Sequence, residues 1–570
     1  MANAAINFNF IPNNLLIPGF FFEVQPANNS GLQQFTSLLV GQVLSTGSLG
    51  PITAGASAPT SSGATLHFSS TPTNIVPGMQ ILDLTTPSVI AAGATVVSTT
   101  GTTVVMSAAV TSGGVLTSDR IQFSFAPAPI LVNSWLQAKG LFGVGSMLAN
   151  QVNAYRLNDN ITPLYCLPLL DDPNSVAATG SITIVGTVSS NTVIFLYVAG
   201  TFIPVAVTAA MSAANIATAI SNNINAVSDL PLTASPSSTT VNLTARNAGV
   251  EGNNIDVRLN YHGTANGETT PSGLTITIVP MASGAVNPSL TAPLAALGDK
   301  KFDVISAPYT DSNSLGSFES FLNDDAGRWG PLGPQLFGHY FCAANNTVGS
   351  LTTLAEAQNS QHVSILGLHR SPTPCYALSA ALAANAAVST QADVGLPWNT
   401  LQLNGCLTPQ EVDDFLAVDR QTLLEDGIST ARADPARNLI IDRTVTTYTT
   451  NDFDQADDSF QNAEEMFCIA YGASYMASLL SSQFARAKLA QDGTRIPVGS
   501  GIVTPNVIRG AVIAIYGNLV SQGVMQGFDQ FAQNVIAQIN ATNLNRVDVY
   551  APIQPINQLD VTAIALQLVL

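Results

Sequence analysis

The stretches KFDVISAPY (301–309), LGSFESFLNDDAGRW (315–329) and HVSILGL (362–368) decide the fold class of this sequence. The first and third are hydrophobic runs of the kind found in buried strands, and the middle one carries apolar residues at helical spacing. Strands that alternate with helices predict an α/β core, which we expect to occupy residues 293–545.

Upstream of this core the sequence changes character twice. Residues 47–128 are rich in Thr, Ser, Gly and Ala and contain short alternating runs such as ATLHF (64–68). Turn residues separate these runs at spacings of about 8–12 residues, which is typical of a small all-β domain. A second β-rich stretch covers 177–292, interrupted by one helix that we expect to run from Thr208, as its N-cap, to Ala226.

Both β-rich stretches are flanked by sequence that resembles the core. Residues 34–44 indicate a buried strand, and residues 131–175 indicate helices that end in the strand LYCLPLL. We also expect a long helix after Asp457 and another that begins at Pro505, with Thr504 as its N-cap. The predicted fold class is therefore mixed α+β: a discontinuous α/β core with two inserted all-β domains and extended terminal strand arms. The predicted division is an N-terminal arm (1–30), a core strand (31–46), an inserted β domain (47–128), a core segment (129–176), a second inserted domain (177–292), the α/β core (293–545) and a C-terminal arm (546–570).

The composition is unusual for a free-standing protein. Charged residues make up only 9% of the chain, against a typical value of about 25%, and the net charge is −18. An acidic chain without a basic stripe argues against a nucleic-acid partner. The absence of positive charge before Arg120 predicts no secretory signal, and no apolar run is long enough for membrane insertion. A subunit packed against copies of itself and a secreted β-protein with a polar surface both fit this composition.

No constellation of residues predicts catalysis, a cofactor or a metal site. FGVGSML has Val144 where a nucleophile elbow needs a glycine two residues before Ser146. The acidic residues around Asp454 lack EF-hand spacing. His339, His362 and His369 show no metal-ligand spacing. The five cysteines form no CxxC pair and are expected to be reduced and buried; they are Cys166, Cys342, Cys375, Cys406 and Cys468.

The two ends of the chain carry the pattern that we interpret as an assembly interface. Apolar residues alternate with polar or small ones in both segments, which predicts strands with one apolar face, and prolines separate both from the rest of the chain. Such a strand can dock on its own sheet or be donated to the sheet edge of a neighbouring subunit. The predicted interface residues are Ile6, Phe8, Phe10, Ile17, Val561, Ile564, Leu566, Leu568 and Leu570.

Several blocks, in the same order along the chain, resemble the tail sheath proteins of Mu-like contractile phages. They include FDVISAPYTDSNSL (302–315), RWGPLGPQLFGHYFCA (328–343), GIVTPNVIR (501–509) and NRVDVYAPIQPINQLDV (545–561). The resemblance implies a non-enzymatic protein that forms a helical homopolymer of hexameric rings around a tail tube, joined by strand donation, and that contracts to drive the tube through the host envelope.

The resemblance further implies a tail tube protein, baseplate proteins and a tail terminator protein as partners, a place in the virion and assembly in the host cytoplasm. Two alternatives remain open at this point. One is a phage surface adhesin or capsid decoration whose inserted β domains bind a ligand, and the other is a tail-associated hydrolase.

Overall fold

The computed structural model describes residues 35–70, 73–111, 113–330, 335–497 and 500–567. The strands, numbered in chain order, are β1 Ser37–Gln42, β2 Ile52–Ala58, β3 Thr65–Phe68, β4 Gln80–Asp83, β5 Val96–Thr100, β6 Thr103–Met106, β7 Arg120–Ser124, β8 Ile130–Leu131, β9 Leu164–Leu169, β10 Thr179–Gly186, β11 Thr192–Val198, β12 Thr201–Val207, β13 Leu232–Ser237, β14 Thr240–Ala245, β15 Val257–Leu259, β16 Leu274–Ala282, β17 Val304–Ser306, β18 His339–Asn345, β19 Val363–Leu368, β20 Gln402–Leu407, β21 Ile428–Ala433, β22 Asn438–Arg443, β23 Lys488–Leu489, β24 Ile502–Val503, β25 Ile536–Ile539 and β26 Val547–Tyr550. The helices are α1 Trp135–Phe142, α2 Met147–Arg156, α3 Ala213–Ala226, α4 Thr291–Ala295, α5 Ser312–Leu322, α6 Val348–Glu356, α7 Cys375–Ala392, α8 Ala417–Glu425, α9 Ala463–Phe484, α10 Pro505–Ser521 and α11 Phe528–Asn534.

A nine-stranded sheet with the order β20-β22-β21-β19-β18-β17-β1-β9-β8 forms the centre of this mixed α+β protein. The pairs from β21 through β19, β18, β17 and β1 to β9 are parallel, and antiparallel strands close both edges. The sheet joins strands from three separate stretches of the chain. Strand β1, from the first stretch, lies between β9 of the second and β17 of the third.

Side chains alternate between two apolar cores, one on each face of this sheet. Leu39 of β1 packs in the core that contains α2 and α7, whereas Leu38 and Val40 pack in the core that contains α5 and α6. All three are fully buried. A strand covered by helices on both faces is continuously apolar, which explains the run SLLV at the start of β1.

The segment from β2 to β7 forms a six-stranded sheet with its own apolar core. Its first and last strands are antiparallel neighbours, with Ile52 opposite Phe123. The chain therefore leaves and rejoins the central sheet at nearly the same point.

The segment from β10 to β16 forms a four-stranded and a three-stranded sheet that enclose α3. Ile216, Ile220 and Ile224 are buried on one face of this helix, as the sequence periodicity predicts. The predicted start at Thr208 is wrong, since the helix begins at Ala213 with Ser212 as its N-cap. Thr208 lies in a turn in which Ala210 has a φ of 62°, a left-handed conformation that no α-helix contains.

A polar junction connects this second segment to the carboxyl ends of β1 and β9. The Asp171 carboxylate accepts hydrogen bonds from the backbone N–H of Ala248 at 2.9 Å, from Gln42 Nε2 at 2.6 Å and from Asn247 Nδ2 at 3.2 Å. Burial raises the pKa of Asp171, and these three donors oppose that shift. The junction therefore fills an edge of the parallel sheet at which α/β proteins commonly bind ligands.

For two further helices, the sequence prediction is wrong about one helix end and right about one helix start. The predicted helix over 315–329 ends early, at Leu322, because the Asn323 side chain accepts from the backbone N–H groups of Asp325, Ala326 and Gly327. The predicted proline start of α10 is confirmed, with Thr504 at its N-cap and Pro505 in its first turn. None of the helices in the described ranges is both long and apolar enough to cross a membrane.

We expect that residues 53–122 can be replaced by a short Gly-Ser linker without unfolding the rest of the chain. The strand ends to be joined are already paired, and the deleted apolar core is separate from the two cores of the central sheet. Circular dichroism and thermal melting should show a folded protein whose melting temperature changes by only a few degrees. An insoluble or molten variant would show that the segment supports the central sheet.

Candidate assembly interface

After β26 the chain returns along its own subunit before it becomes exposed. Gln526 donates its backbone N–H to the Gln554 carbonyl at 2.9 Å, and Ile556 donates to the Val524 carbonyl at 3.1 Å. The Tyr516 hydroxyl accepts from the Gln554 N–H at 3.0 Å. These bonds hold residues 554–556 against the loop that follows α10.

The last anchor of this segment is an ion pair. Asp560 Oδ2 lies 3.3 Å from Arg443 Nε at the end of β22. Just before it, Gln558 Nε2 donates to the Gly395 carbonyl at 3.3 Å. In the sequence, Asp560 is distinguished only by being the last charged residue, and this does not identify its partner.

Beyond Asp560 the apolar residues of the predicted arm face solvent. Val561 is 78% exposed, Ile564 76% and Leu566 93%. Residues 561–567 form no strand within the single subunit, so the strand predicted for this stretch stays a prediction about pairing with a neighbour. The physical reason is that an extended segment becomes a strand only where a sheet edge accepts its backbone hydrogen bonds.

The other predicted interface residues fall outside the described part of the chain. They are Ile6, Phe8, Phe10, Ile17, Leu568 and Leu570.

A two-stranded hairpin with open edges lies immediately before the anchored segment. Within the described ranges, strands β25 and β26 pair only with each other, from Ile536 opposite Tyr550 to Ile539 opposite Val547. Ile536 is 55% exposed and Tyr550 64%. An isolated hairpin of this length is marginally stable in water, and its unpaired edges can accept further strands.

A helix with a side-chain clamp supports the hairpin. Arg509 of α10 donates from Nε to the Val535 carbonyl at 2.8 Å and from its terminal nitrogen to the Ala532 carbonyl at 2.6 Å. The ring of Tyr516 stacks on Phe531 at 3.7 Å. These contacts fix the position of the hairpin while leaving its edges free.

Two carboxyls in the first turn of α9 interact electrostatically with the arm anchor. Glu464, in the first turn of α9, accepts from the Trp398 backbone N–H at 3.2 Å. Burial raises its pKa to about 7, the charge of Asp560 adds to this shift, and Arg443 opposes it. Burial also raises the pKa of the neighbouring Glu465. Arg443 is therefore the cation that compensates several carboxylates at the base of the arm.

Residues considered as catalytic or metal-binding candidates have structural partners. Ser146 is buried and caps α2 by accepting from the Ala149 N–H at 3.2 Å. His339 Nε2 lies 2.8 Å from Ser364 Oγ, and burial together with the nearby His362 lowers the pKa of His339 to about 3. The described residues contain no group of three or more His, Cys, Asp or Glu that could hold a metal ion. All five cysteines are buried and free.

The C-terminal segment is thus held by its own subunit up to Asp560 and exposes apolar side chains beyond it. The chain matches the phage tail sheath protein central domain over residues 283–447 and the phage tail sheath C-terminal domain over residues 433–568. It is 35% identical over 441 residues to the Mu-like prophage FluMu tail sheath protein of Haemophilus influenzae, covering 77% of this chain and 89% of that protein.

Solved structures with a similar fold include two sheath proteins. The sheath tail protein of Listeria innocua has a TM-score of 0.39 at 13% identity and covers 75% of this chain and 88% of its own. The contracted PVC sheath complex of an extracellular contractile injection system has a TM-score of 0.37 at 11% identity, covering 77% and 86%.

The chain belongs to the phage tail sheath protein family. It is a structural component of the contractile tail of a phage or related injection system.

We expect Glu464→Gln to reduce the pH dependence of stability. Because the pKa of Glu464 is raised to about 7, the folded protein retains a proton that the unfolded chain releases above its ordinary pKa of 4.5. Wild-type stability therefore falls as the pH rises from about 4.5 to 7 and levels off above that, by up to about 3 kcal/mol from this group. Urea denaturation at pH 5 and pH 8 should show a smaller difference for the variant. An unchanged difference would mean that Glu464 is ionised in the folded protein.

Proposed function

We propose that this chain polymerises helically around a tail tube as stacked hexameric rings and contracts to drive the tube through the host envelope. Its partners are then further copies of itself, the tail tube protein, baseplate proteins and a tail terminator protein. The polymer is assembled in the host cytoplasm and becomes part of the virion. Family membership favours this function over an adhesin or a capsid decoration, and no catalytic role is proposed.

The observation that supports the proposal is the change from an anchored to an exposed chain at Asp560. Up to this residue the C-terminal segment is held by its own subunit, and immediately after it three large apolar side chains are exposed. Each would contribute about 1.5–3 kcal/mol if fully removed from water. An exposed apolar segment of this kind is also an aggregation hazard unless a defined partner covers it.

The arm is proposed to pair in trans with the open hairpin of a neighbouring subunit. Ile564 and Leu566, together with Leu568 and Leu570, would supply its apolar face, and Val561 would lie on the alternate face. The edge would be supplied by β25 or β26 of the neighbour. The N-terminal residues Ile6, Phe8, Phe10 and Ile17 are proposed to come from another neighbour. Subunits joined through donated strands can rotate against each other while the paired strands stay intact.

The domain division follows from the same proposal. Residues 31–46, 129–176 and 293–545 would form the core that contacts neighbouring subunits, and 1–30 and 546–570 would form the arms. The β segments at 47–128 and 177–292 are proposed as insertions, with the first on the outer surface away from the tube. Their separate apolar cores support this arrangement.

We expect a chain truncated after Asp560 to fold but not to form sheaths. The truncation keeps the ion pair with Arg443 and removes only the exposed segment, so that the melting temperature should stay within a few degrees of the full chain. Negative-stain electron microscopy and sedimentation should show tubes for the full chain and small particles for the truncated one.

A matched pair of full-length variants tests whether one face of the arm carries the contact. Ile564→Asn with Leu566→Asn should abolish tube formation, whereas Ala563→Asn with Ala565→Asn, on the alternate face, should reduce it much less. Normal assembly of the truncated chain would contradict the proposal, as would its unfolding as a monomer.

A further inference from the structure

The loop before α9 presents a rigid acidic knob, which we define as residues 451–458. The Asn451 side chain accepts from the backbone N–H groups of Phe453 and Gln455 at 3.0 and 3.2 Å, and the Asn451 N–H donates to the Gln455 carbonyl at 2.9 Å. These bonds close a tight turn whose tip is Phe453, which is 81% exposed. A turn fixed by its own hydrogen bonds holds this phenyl ring in solvent.

Three carboxylates of the acidic knob have no hydrogen-bond or ion-pair partner among the described residues. Asp457 accepts from the Tyr448 hydroxyl at 2.9 Å and from Ser459, so it belongs to the internal structure of the loop. Asp452, Asp454 and Asp458 are exposed, and their carboxylates make no hydrogen bond or ion pair with any residue in the described ranges. The knob therefore combines three free negative charges with one exposed aromatic ring.

The segment after α9 has the opposite charge. From Met466 to Gly527 the sequence contains four basic residues and one acidic residue, in a chain whose net charge is −18. The Arg509 side chain donates to a backbone carbonyl at the end of α11. The Asp492 carboxylate accepts from the Asn506 N–H at 3.1 Å. The remaining three cations define a basic finger over residues 485–497; they are Arg486, Lys488 and Arg495.

All three cations of the basic finger are exposed and make no ion pair within the part of the chain that the structure describes. Partly exposed apolar side chains lie between them in the sequence, namely Phe484, Leu489 and Ile496. Exposed cations interspersed with apolar surface form a site that fits an acidic partner with an aromatic anchor.

The acidic knob precedes α9 and the basic finger follows it, and no hydrogen bond or ion pair joins the two within the described residues. This helix has 22 residues, which corresponds to a length of roughly 33 Å at 1.5 Å per residue. Long side chains cannot bridge that distance. Complementary surfaces separated along one axis of a subunit instead favour head-to-tail contact between copies, which propagates into an open helical polymer when the operation does not close.

We propose that the acidic knob of one copy docks on the basic finger of the next copy, with Phe453 inserted among the apolar side chains of the finger. This inference rests on the self-assembly proposed above and assigns it a second contact, separate from the C-terminal arm. The contact is electrostatically steered, so its formation is faster at low ionic strength.

Charge-reversal substitutions test the pairing in the full-length protein. They are made first in the finger or the knob alone and then in both surfaces of one chain. Arg486→Glu with Lys488→Glu, and separately Asp452→Lys with Asp454→Lys, should each raise the critical concentration for tube formation about tenfold. A chain that carries all four substitutions should assemble at close to the wild-type critical concentration. Phe453→Ser should weaken assembly without changing its salt dependence, and sedimentation across a salt series measures both quantities.

Arg120→Glu serves as the control, because Arg120 is an exposed cation on β7 whose side chain makes no ion pair within the described ranges. This variant should assemble like the wild type, and circular dichroism should show every variant to be folded. Recovery in the four-substitution chain supports the inference. Failure to recover, or wild-type assembly of both double variants, overturns it while leaving the proposed function intact. Defects that appear only when tail tube protein is added assign the basic finger to the tube and also overturn the inference. If the wild type forms no polymer, the proposed self-assembly fails as well.

Discussion

The pairing of β1 with β9 on one side and β17 on the other is the interaction on which the rest of the structure depends. Ser37 is opposite both Leu164 and Val304, so a six-residue strand joins parts of the chain that are more than a hundred residues apart. Loop-closure entropy grows only logarithmically with loop length, so long insertions between these strands cost little more than short ones. The two β segments can therefore be large without weakening the central sheet.

The two β segments are attached to the central sheet in different ways. The first, from β2 to β7, leaves and returns through a pair of adjacent strands. The second is bound through the Asp171 network, with Gln42 and Asn247 as partners, at the carboxyl edge of the sheet. Buried, fully paired polar groups fix a unique orientation, since any rearrangement would leave them unpaired in a low-dielectric environment. The network thus holds the second segment against the central sheet.

The sequence predicted those features that depend on local pattern. The buried face of α3, the proline start of α10 and the strands around Val304 and Ile365 all follow from periodicity or turn chemistry. Helix α7 was not recognised because it is apolar on nearly every face and therefore lacks an amphipathic period. The anchor at Asp560 could not be predicted either, because its partner Arg443 is distant in sequence and only the tertiary fold brings them together.

The exposed arm poses a thermodynamic problem that one contact does not solve. Fixing each residue of a free segment costs about 1–2 kcal/mol in backbone entropy, a penalty comparable in total to the gain from burying Val561, Ile564 and Leu566. Strand donation by itself is then close to neutral and reversible. The proposed second contact is made by elements that are already ordered in the free subunit, so it would add little entropic cost. The anchor at Asp560 contributes in the same way, since it restricts the origin of the arm before pairing begins. The proposed polymer would therefore depend on preorganised contacts at the body of the subunit as well as on paired strands at its ends.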